Sequence, residues 1–161
     1  MKHRGYNVGA SKVDDMAVPQ AVIDNDTIVL PRDVIVTNDS NTVRTVPVEK
    51  ISDDDIIVDI GSQTLETMEH AFKGAKTVVM NGPTGWYEKG FTKQTSRIVD
   101  MVKKIDAYTF AGGGDIVALL EQTEHLNDLT FISTGGGSLL AYLADSTLPV
   151  LESLRKNTKD A

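Results

Sequence analysis

The sequence predicts an α/β fold, in which a parallel β-sheet is covered by helices on both faces. Short β-rich segments alternate with segments whose apolar residues recur at helical spacing. Most of the β-rich segments are continuously apolar, which is typical of strands that are buried on both faces. Two glycine triplets, at residues 112–114 and 135–137, each lie between such a strand and such a helix. These observations favour a series of strand–helix units joined by right-handed crossovers.

Six segments have the composition of short strands. In chain order they are residues 27–30 (TIVL), 33–38 (DVIVTN), 55–61 (DIIVDIG), 76–82 (KTVVMNG), 107–113 (AYTFAGG) and 129–134 (LTFIST). Each contains the β-branched or aromatic residues that strands favour. Residues 38–51 (NDSNTVRTVPVEKI) are polar at first and then alternate, which predicts a loop or a small hairpin.

Helical patterns fill most of the intervals between these strands. The predicted helices begin near residues 62, 91, 115, 138 and 149. In the first of them, Leu65, Met68 and Phe72 share one face, as in a helix packed against a core. Asp115 is predicted to be the N-cap of the third helix, and Pro149 occupies the first position of the fifth.

The composition limits the classes of protein to which the chain can belong. Its 161 residues suit one domain, and a hydrophobic fraction of 40% allows a real core. The net charge of −7 and the scattered cations predict no nucleic-acid partner, and no apolar segment is long enough to span a membrane. The acidic run at residues 53–55 is expected to be a solvated turn. Since the sequence has no cysteine and its opening residues lack the apolar core of a signal peptide, we expect a cytoplasmic protein.

The glycine triplets are predicted to bind anions. A glycine-rich turn lets the backbone approach a ligand, and the first N–H groups of the helix that follows are directed outward. Such helix ends hold phosphate without lysine, which suits an acidic protein. Asp115 follows the first triplet, and a carboxylate beside phosphate predicts a divalent cation, for which magnesium is the natural candidate. The alternative is that Asp115 is only an N-cap and that the glycines serve the turn and its packing.

Two familiar nucleotide-binding motifs are absent from the sequence. The dinucleotide fingerprint requires glycine or alanine where Val117 and Leu140 stand, which disfavours an NAD- or flavin-dependent oxidoreductase. Neither triplet is followed by the Gly-Lys-Ser/Thr of a P-loop. In a third loop, at residues 79–92, Glu88 is either a hydrogen-bond acceptor for ribose hydroxyls or a solvated surface residue.

Three long motifs and three short ones match one known family in order and spacing. The long motifs are NGPTGWYEKGF (residues 81–91), FAGGGDIVALL (110–120) and ISTGGGSLLAYLADSTLPVLESL (132–154). Together they resemble the C-terminal, nucleotide-binding domain of the phosphoglycerate kinase family. LPRDVIVTND is similar to that family's LPVDFVVAD strand, IVDIGSQT to its LDIGPKT turn, and YNVGASKVDD to its IGKSL segment. The resemblance extends from about Tyr6 to Leu154, which is nearly the whole chain.

The resemblance implies a fold and an activity. The fold is a Rossmann-like three-layer parallel sheet with helices on both faces, here incomplete, and residues 1–161 would be part of the C-terminal domain. The activity is that of a kinase, a transferase of glycolysis. It transfers a phosphoryl group reversibly between 1,3-bisphosphoglycerate with Mg-ADP and 3-phosphoglycerate with Mg-ATP.

The resemblance also implies roles for individual residues. The nucleotide site would contain Asn81, Glu88, Gly112, Gly113, Gly114, Asp115 and Ile116, and the catalytic site Gly135, Gly136 and Gly137. Gly113, Gly114 and Asp115 would lie at the nucleotide phosphates, with Asp115 on magnesium. Asn81 would face the phosphate chain, and Glu88 would hold the ribose. The second triplet would present helix N–H groups to the transferred phosphoryl group.

Departures from the family pattern bear on activity. Ile116 replaces a threonine whose hydroxyl helps to hold phosphate, Ser62 replaces a proline, and Ile57 stands where a glycine is often found near the adenine pocket. The match lacks the family's N-terminal domain and the first strands of the C-terminal domain. We therefore expect the chain alone to turn over poorly or not at all, and to bind 3-phosphoglycerate only with the missing N-terminal domain. We also expect self-association through an exposed sheet edge, or marginal stability.

Two alternatives to the kinase remain open. The first is a non-catalytic nucleotide- or phosphate-binding relic, or a subunit that needs a separate chain to complete its site. The second is an unrelated oxidoreductase, which the failed fingerprint disfavours. Binding of Mg-ADP without turnover would favour the first alternative, and turnover restored by an N-terminal fragment would favour the kinase.

Overall fold

The chain forms two compact units of α/β structure. The computed structural model describes residues 1–157 except Asp15, Asp39 and Asn41. The first unit consists of Met1–Lys73 and Thr84–Ile98, and the second of Gly74–Pro83 and Val99–Ala161.

Strands and helices alternate along most of the described residues. The strands are β1 (Asp33–Thr37), β2 (Arg44–Pro47), β3 (Ile56–Ile60), β4 (Thr77–Asn81), β5 (Tyr108–Gly112) and β6 (Phe131–Ser133). The α-helices are α1 (Gln20–Ile23), α2 (Ser62–Phe72), α3 (Lys93–Val102), α4 (Gly114–Gln122), α5 (Gly136–Asp145) and α6 (Pro149–Asn157). Short 3-10 turns lie at Lys2–Arg4, Val48–Lys50, Tyr87–Lys89 and Leu126–Asp128.

The first unit contains an antiparallel sheet in the order β2-β1-β3. In accord with the loop or small hairpin predicted for residues 38–51, β1 and β2 pair antiparallel, with Val34 opposite Val46. The apolar core of this unit includes a cluster of five buried residues: Val34, Val36, Val46, Val48 and Ile51. The expectation that β1 and β3 belong to a parallel sheet was wrong, because the chain between them forms β2, and β1 pairs antiparallel with both β2 and β3.

The second unit contains the parallel sheet that the sequence predicted. Its order is β4-β5-β6, and α4 and α5 pack against β5. The core around α4 contains Val99, Ala111, Ile116 and Leu120, all of them buried. A parallel sheet flanked by helices confirms the α/β, Rossmann-like fold class, in the incomplete form of three strands.

One side of this parallel sheet carries an exposed row of apolar residues. Val79, Phe110 and Phe131 are direct neighbours across the three strands. The rings of Phe110 and Phe131 lie 5.9 Å apart, and Val79 and Phe131 are 48% and 57% exposed. Side chains at one position of adjacent strands form a continuous surface. We call these three residues the apolar row.

One predicted strand was wrong, because local side-chain hydrogen bonds form a turn in its place. Residues 27–30 form no strand, because Asn25 accepts hydrogen bonds from the amide and hydroxyl groups of Thr27 and so fixes a turn. The side chain of Arg4 donates to the Asn25 carbonyl and holds this turn in place. Among the described residues, none of the helices combines the length and apolar composition that a bilayer crossing needs.

Candidate functional site

Three strand ends meet at the carboxyl edge of the parallel sheet. Asn81 ends β4 opposite Gly112 of β5, and Gly112 lies opposite Ser133 of β6. The pairing continues past the strands, since Gly82 N donates to the Gly112 carbonyl at 3.2 Å and Gly113 N to the Ser133 carbonyl at 2.9 Å. Open α/β sheets bind their ligands at this edge.

Two helices begin at the same edge. The helix α4 begins at Gly114 with Gly113 as its N-cap, and α5 begins at Gly136 with Gly135 as its N-cap. Because both N-caps are glycines, neither has a side chain that could accept a hydrogen bond from the first turn. Both helix dipoles place partial positive charge at these amino ends. The edge therefore has the features of an anion-binding site.

The two glycine turns touch each other and Asn81. A Cβ atom at Gly136 would lie 2.7 Å from Gly113 Cα and 2.8 Å from Asn81 Oδ1, closer than real Cβ contacts allow. Only glycine at position 136 permits this approach, and Gly136 is buried as a result. The structure thus brings together the predicted Asn81 and residues from both triplets.

Two predicted residues of α4 lie at different depths. Asp115 is exposed in the first turn of α4. The prediction that Asp115 is the N-cap was wrong, because the N-cap is Gly113, two residues earlier in the chain. Ile116 is fully buried in the core of the second unit. Any contact of Ile116 with a ligand at this edge must therefore come from its backbone.

Comparisons with known proteins identify the family of the chain. A family model described as "Phosphoglycerate kinase" matches residues 1–146. The chain belongs to the phosphoglycerate kinase family. It is 40% identical to the phosphoglycerate kinase of Enterococcus faecalis over 163 residues, and 35% identical to that of Haemophilus influenzae over 162 residues.

Solved phosphoglycerate kinases share the fold of the chain. The structure of phosphoglycerate kinase from Coxiella burnetii matches 99% of the chain with a TM-score of 0.80 at 27% identity. That from Pyrococcus horikoshii OT3 matches 81% of it with a TM-score of 0.70 at 28% identity. The chain spans 41% and 42% of the two curated relatives, and 44% and 33% of the two solved chains. It therefore corresponds to less than half of a phosphoglycerate kinase.

A magnesium ion at the edge of the sheet would have few protein ligands. Within the described residues, no three His, Asp or Glu side chains are clustered as in a protein metal site. Asp115 offers one carboxylate, in the first turn of α4. Magnesium in nucleotide sites is usually held by one or two carboxylates together with phosphate oxygens. The donor set therefore fits a cation that is bound jointly by Asp115 and a nucleotide.

Glu88 lies in the first unit, in a loop that is fixed at its root. It belongs to the 3-10 turn Tyr87–Lys89 and is exposed. Immediately before this turn, Trp86 N donates to the Val58 carbonyl of β3 at 2.8 Å. The ammonium of Lys89 lies 5.6 Å from the centre of the Trp86 ring, within cation–π range. The Glu88 carboxylate is thus presented at the surface of an anchored loop.

The same loop lines a groove that the sequence did not predict. The groove has a volume of about 470 Å³ and is lined by Thr37, Val43, Ile56, Val58, Trp86 and Phe91, among others. Trp86 is 44% exposed there, so its ring presents an aromatic surface while its backbone amide anchors the loop. An aromatic residue after the Gly-Pro-Thr-Gly turn was the available sequence signal.

Three buried aspartates of the first unit were also missed. Asp33, Asp55 and Asp59 are each at most 2% exposed. Asp55 accepts two hydrogen bonds from the Arg44 guanidinium, at 2.7 and 2.9 Å, which corrects its assignment to a solvated turn. Asp33 accepts hydrogen bonds from the backbone amides of Gln63 and Thr64 at the start of α2. These carboxylates are parts of the folded framework.

Asp59, in β3, has uncharged partners. The amide of Ile60 and the hydroxyl of Thr84 donate to Asp59 Oδ1 at 2.8 and 2.9 Å, and the backbone of Gln94 also hydrogen-bonds to the carboxylate. Burial raises the pKa of Asp59 above its ordinary value, and these hydrogen bonds oppose the shift only in part.

Proposed function

We propose that this chain is the nucleotide-binding part of a phosphoglycerate kinase. Together with the rest of such an enzyme it would transfer a phosphoryl group reversibly between 1,3-bisphosphoglycerate and ADP, a step of glycolysis. The supporting observation is the contact of both glycine turns with Asn81 at the carboxyl edge of the parallel sheet. On this proposal, residues 1–161 are part of one C-terminal nucleotide-binding domain.

The first turns of the two helices would hold the phosphates. The backbone N–H groups that follow Gly113 would bind the phosphate chain of the nucleotide, and those of Gly136 and Gly137 would bind the transferred phosphoryl group. Gly135 would open this second turn, since its own N–H donates to Ser133 Oγ at 3.1 Å. Donors of this kind are oriented before the reaction begins, so they stabilise developing negative charge without reorganisation. Asn81 contacts both turns and would fix the distance between the two phosphate positions.

Two carboxylates would bind the remaining parts of Mg-ADP. Asp115 would hold magnesium, which neutralises phosphate charge when it is bound. Glu88 would accept hydrogen bonds from the ribose hydroxyls, because it is exposed on a loop whose backbone is tied to β3. Ile116 would contribute only its N–H group, since its side chain is in the core.

The chain alone is proposed to turn over poorly or not at all. It spans 41% of the Enterococcus faecalis relative. On this proposal, the binding site for 3-phosphoglycerate belongs to the N-terminal domain of the complete enzyme. Phosphoryl transfer without the cations of that domain would lose much of its electrostatic stabilisation. We also propose a cytoplasmic location.

A second candidate is a nucleotide-binding subunit without catalysis of its own. The exposed apolar row of Val79, Phe110 and Phe131 favours it, because monomeric proteins rarely leave such surfaces uncovered. The apolar row would be buried against either a partner chain or a second copy of this chain. Sedimentation equilibrium distinguishes these two possibilities. It is measured for the chain alone and for the chain mixed with a separately expressed N-terminal fragment of a relative. Turnover restored in the mixture supports the kinase, and binding of Mg-ADP without turnover in the mixture supports the subunit.

Calorimetric titration with ADP tests the nucleotide site. We expect Asp115→Asn to weaken Mg-ADP binding by about tenfold, since it removes a charged ligand worth roughly 1.5 kcal/mol or more. Binding of ADP in EDTA should change little, because the carboxylate acts through the cation. Asp145→Asn is the matched control, as Asp145 is exposed at the far end of α5. Absence of ADP binding to the wild-type chain would refute the proposed site.

A further inference from the structure

A buried carboxylate lies at the root of the loop that carries Glu88. Asp59 is 2% exposed in β3, and Thr84 Oγ1 donates to it at 2.9 Å. Thr84 is itself bound to α3, since its amide donates to Thr95 Oγ1 at 3.0 Å and the two hydroxyls are 3.0 Å apart. Asp59, Thr84 and Thr95 thus form a hydrogen-bonded chain from β3 through the loop to α3.

The next residue of the loop is packed directly onto the same carboxylate. A Cβ atom at Gly85 would lie 2.5 Å from Asp59 Oδ2, so the backbone of Gly85 rests against Asp59 without a side chain between them. Trp86 N then donates to the Val58 carbonyl. Three consecutive residues, Thr84, Gly85 and Trp86, are therefore held against β3, and Glu88 follows two residues later.

The chemistry of the partners requires an acceptor at position 59. The groups that face the carboxylate are the amides of Ile60 and Gln94 and the hydroxyl of Thr84, which are uncharged donors. An ionised carboxylate only accepts hydrogen bonds and can satisfy all three. An asparagine would direct an NH₂ group at one of these donors. An asparagine of the same shape would therefore leave the loop less well held than the carboxyl group does.

We propose that Asp59 is a positioning residue, which holds the Thr84–Gly85 turn so that Glu88 faces the ribose of the bound nucleotide. The inference rests on the proposed function, because it assumes that Glu88 binds the ribose hydroxyls. Asp59 itself touches no nucleotide and acts through the loop.

The test compares two nucleotides that differ at the ribose. Affinities of Mg-ADP and of its 2′,3′-dideoxy analogue are measured by calorimetry for the wild type, Asp59→Asn and Glu88→Gln. The wild type should prefer ADP, and both variants should lose this preference, by about tenfold if one good hydrogen bond to a charged group is lost. The double variant should lose no more than either single one, since both changes remove the same contact.

A matched buried aspartate controls for a merely structural effect. Asp33 is also 2% exposed and accepts backbone hydrogen bonds, but at the start of α2. Asp33→Asn should lower stability and leave the ribose preference unchanged at temperatures where the variant is folded. If Asp59→Asn does not fold, Thr84→Val provides the same readout, and Thr84→Ser should retain the preference because it keeps the hydroxyl.

The outcomes separate this inference from the proposed function. If the wild type binds no Mg-ADP, the proposed function and the inference both fail. If the wild type binds Mg-ADP with a ribose preference that Glu88→Gln removes but that Asp59→Asn or Thr84→Val retains, the inference alone is wrong. It is also wrong if Asp33→Asn abolishes the preference as completely as Asp59→Asn does.

Discussion

The two compact units treat the amino ends of their helices in opposite ways. In the first unit, strand carboxylates occupy these ends: Asp33 of β1 accepts hydrogen bonds from the first turn of α2, and Asp59 of β3 hydrogen-bonds to Gln94 of α3. The N-cap of α2 is itself a glycine, Gly61, so the acceptor at this helix end comes from a strand. In the second unit, α4 and α5 also begin after glycine N-caps, and the hydrogen bonds of the described residues place no strand carboxylate at their first turns. The same helix dipole is thus neutralised by protein in one unit and directed toward the sheet edge by glycines in the other.

The difference shows which helix ends serve the fold and which suit a ligand. A buried carboxylate at a helix end satisfies its N–H groups and would repel phosphate. Glycine turns neither satisfy these N–H groups nor repel phosphate. Because both turns lie close to Asn81, the N–H groups of two helices are concentrated in a small region. Changes at the first kind of end should therefore affect mainly stability, and changes at the second kind mainly nucleotide binding.

Removal of the Asp33 carboxylate should have the largest effect on stability. Asp33→Ala leaves the amides of Gln63 and Thr64 without their acceptor, whereas the Thr64 hydroxyl can still donate to the backbone carbonyl of residue 33. Because these groups are partly or fully buried, we expect a loss of about 3 kcal/mol in the free energy of unfolding. Urea denaturation measures it, and Asp54→Asn, at an exposed position, is the control. A loss below about 1 kcal/mol would show that water replaces the carboxylate.

A methyl group at Gly136 should have the second largest effect, and it should act on both stability and binding. In Gly136→Ala the new Cβ overlaps Gly113 Cα and Asn81 Oδ1, so the two glycine turns must separate. Overpacking of this kind costs about 2 kcal/mol, and the phosphate donors move apart with the turns. We expect weaker binding of Mg-ADP by calorimetry at a temperature where the variant is folded.

Gly137→Ala is the matched control for this prediction. A Cβ atom at Gly137 would meet no atom within 4 Å, and alanine is a better helix former than glycine. This variant should fold at least as well as the wild type and bind Mg-ADP nearly as well. Equal affinities in the two variants would contradict the view that contact between the turns matters for binding.

The sequence predicted most strands of the fold but not the direction of all of them. Continuous apolar runs located β1 and β3 to β6, yet such runs look alike in parallel and antiparallel sheets when both faces are covered. The direction of β3 appears only in its antiparallel pairing with β1, which is a contact between residues distant in sequence. The false strand at residues 27–30 has enough β-branched residues, but Asn25 and Arg4, which are distant from each other in sequence, fix a turn instead.

The candidate site was predictable where it depends on local sequence. The glycine turns and Asn81 were found because each follows its own strand, and the register of a parallel sheet brings strand ends together. The contact of Gly136 with Gly113 depends on the placement of two helices, which no local pattern encodes. Asp59 was missed for the same reason, since its partners Thr84 and Gln94 are 25 and 35 residues away along the chain.

The smallest expected effect is a change in the pH dependence of stability at Asp59. Burial raises its pKa above the value of 3.8 that an exposed aspartate has, so the native state binds this proton more tightly than the unfolded state. The resulting stabilisation is fully present below about pH 3.8 and is lost as the pH rises through the raised pKa. The stability of the wild type relative to Asp59→Asn should therefore increase as the pH is lowered from 7 toward 4.

Comparison with the variant isolates this contribution from those of other carboxylates. Asp100 and Asp128 have lowered pKa values, each chiefly because of a side-chain hydrogen bond, from Lys103 and His125 respectively. Protonation of these two aspartates at low pH lowers the stability of both proteins equally. Their contributions therefore cancel in the difference between the wild type and the variant. Urea denaturation of the two proteins across this range measures the effect. If the stability of the wild type relative to Asp59→Asn falls on acidification, the hydrogen bonds from Thr84 and the backbone outweigh the effect of burial on the pKa of Asp59. The first unit would then hold Asp59 as a fully satisfied acceptor, as it holds Asp33.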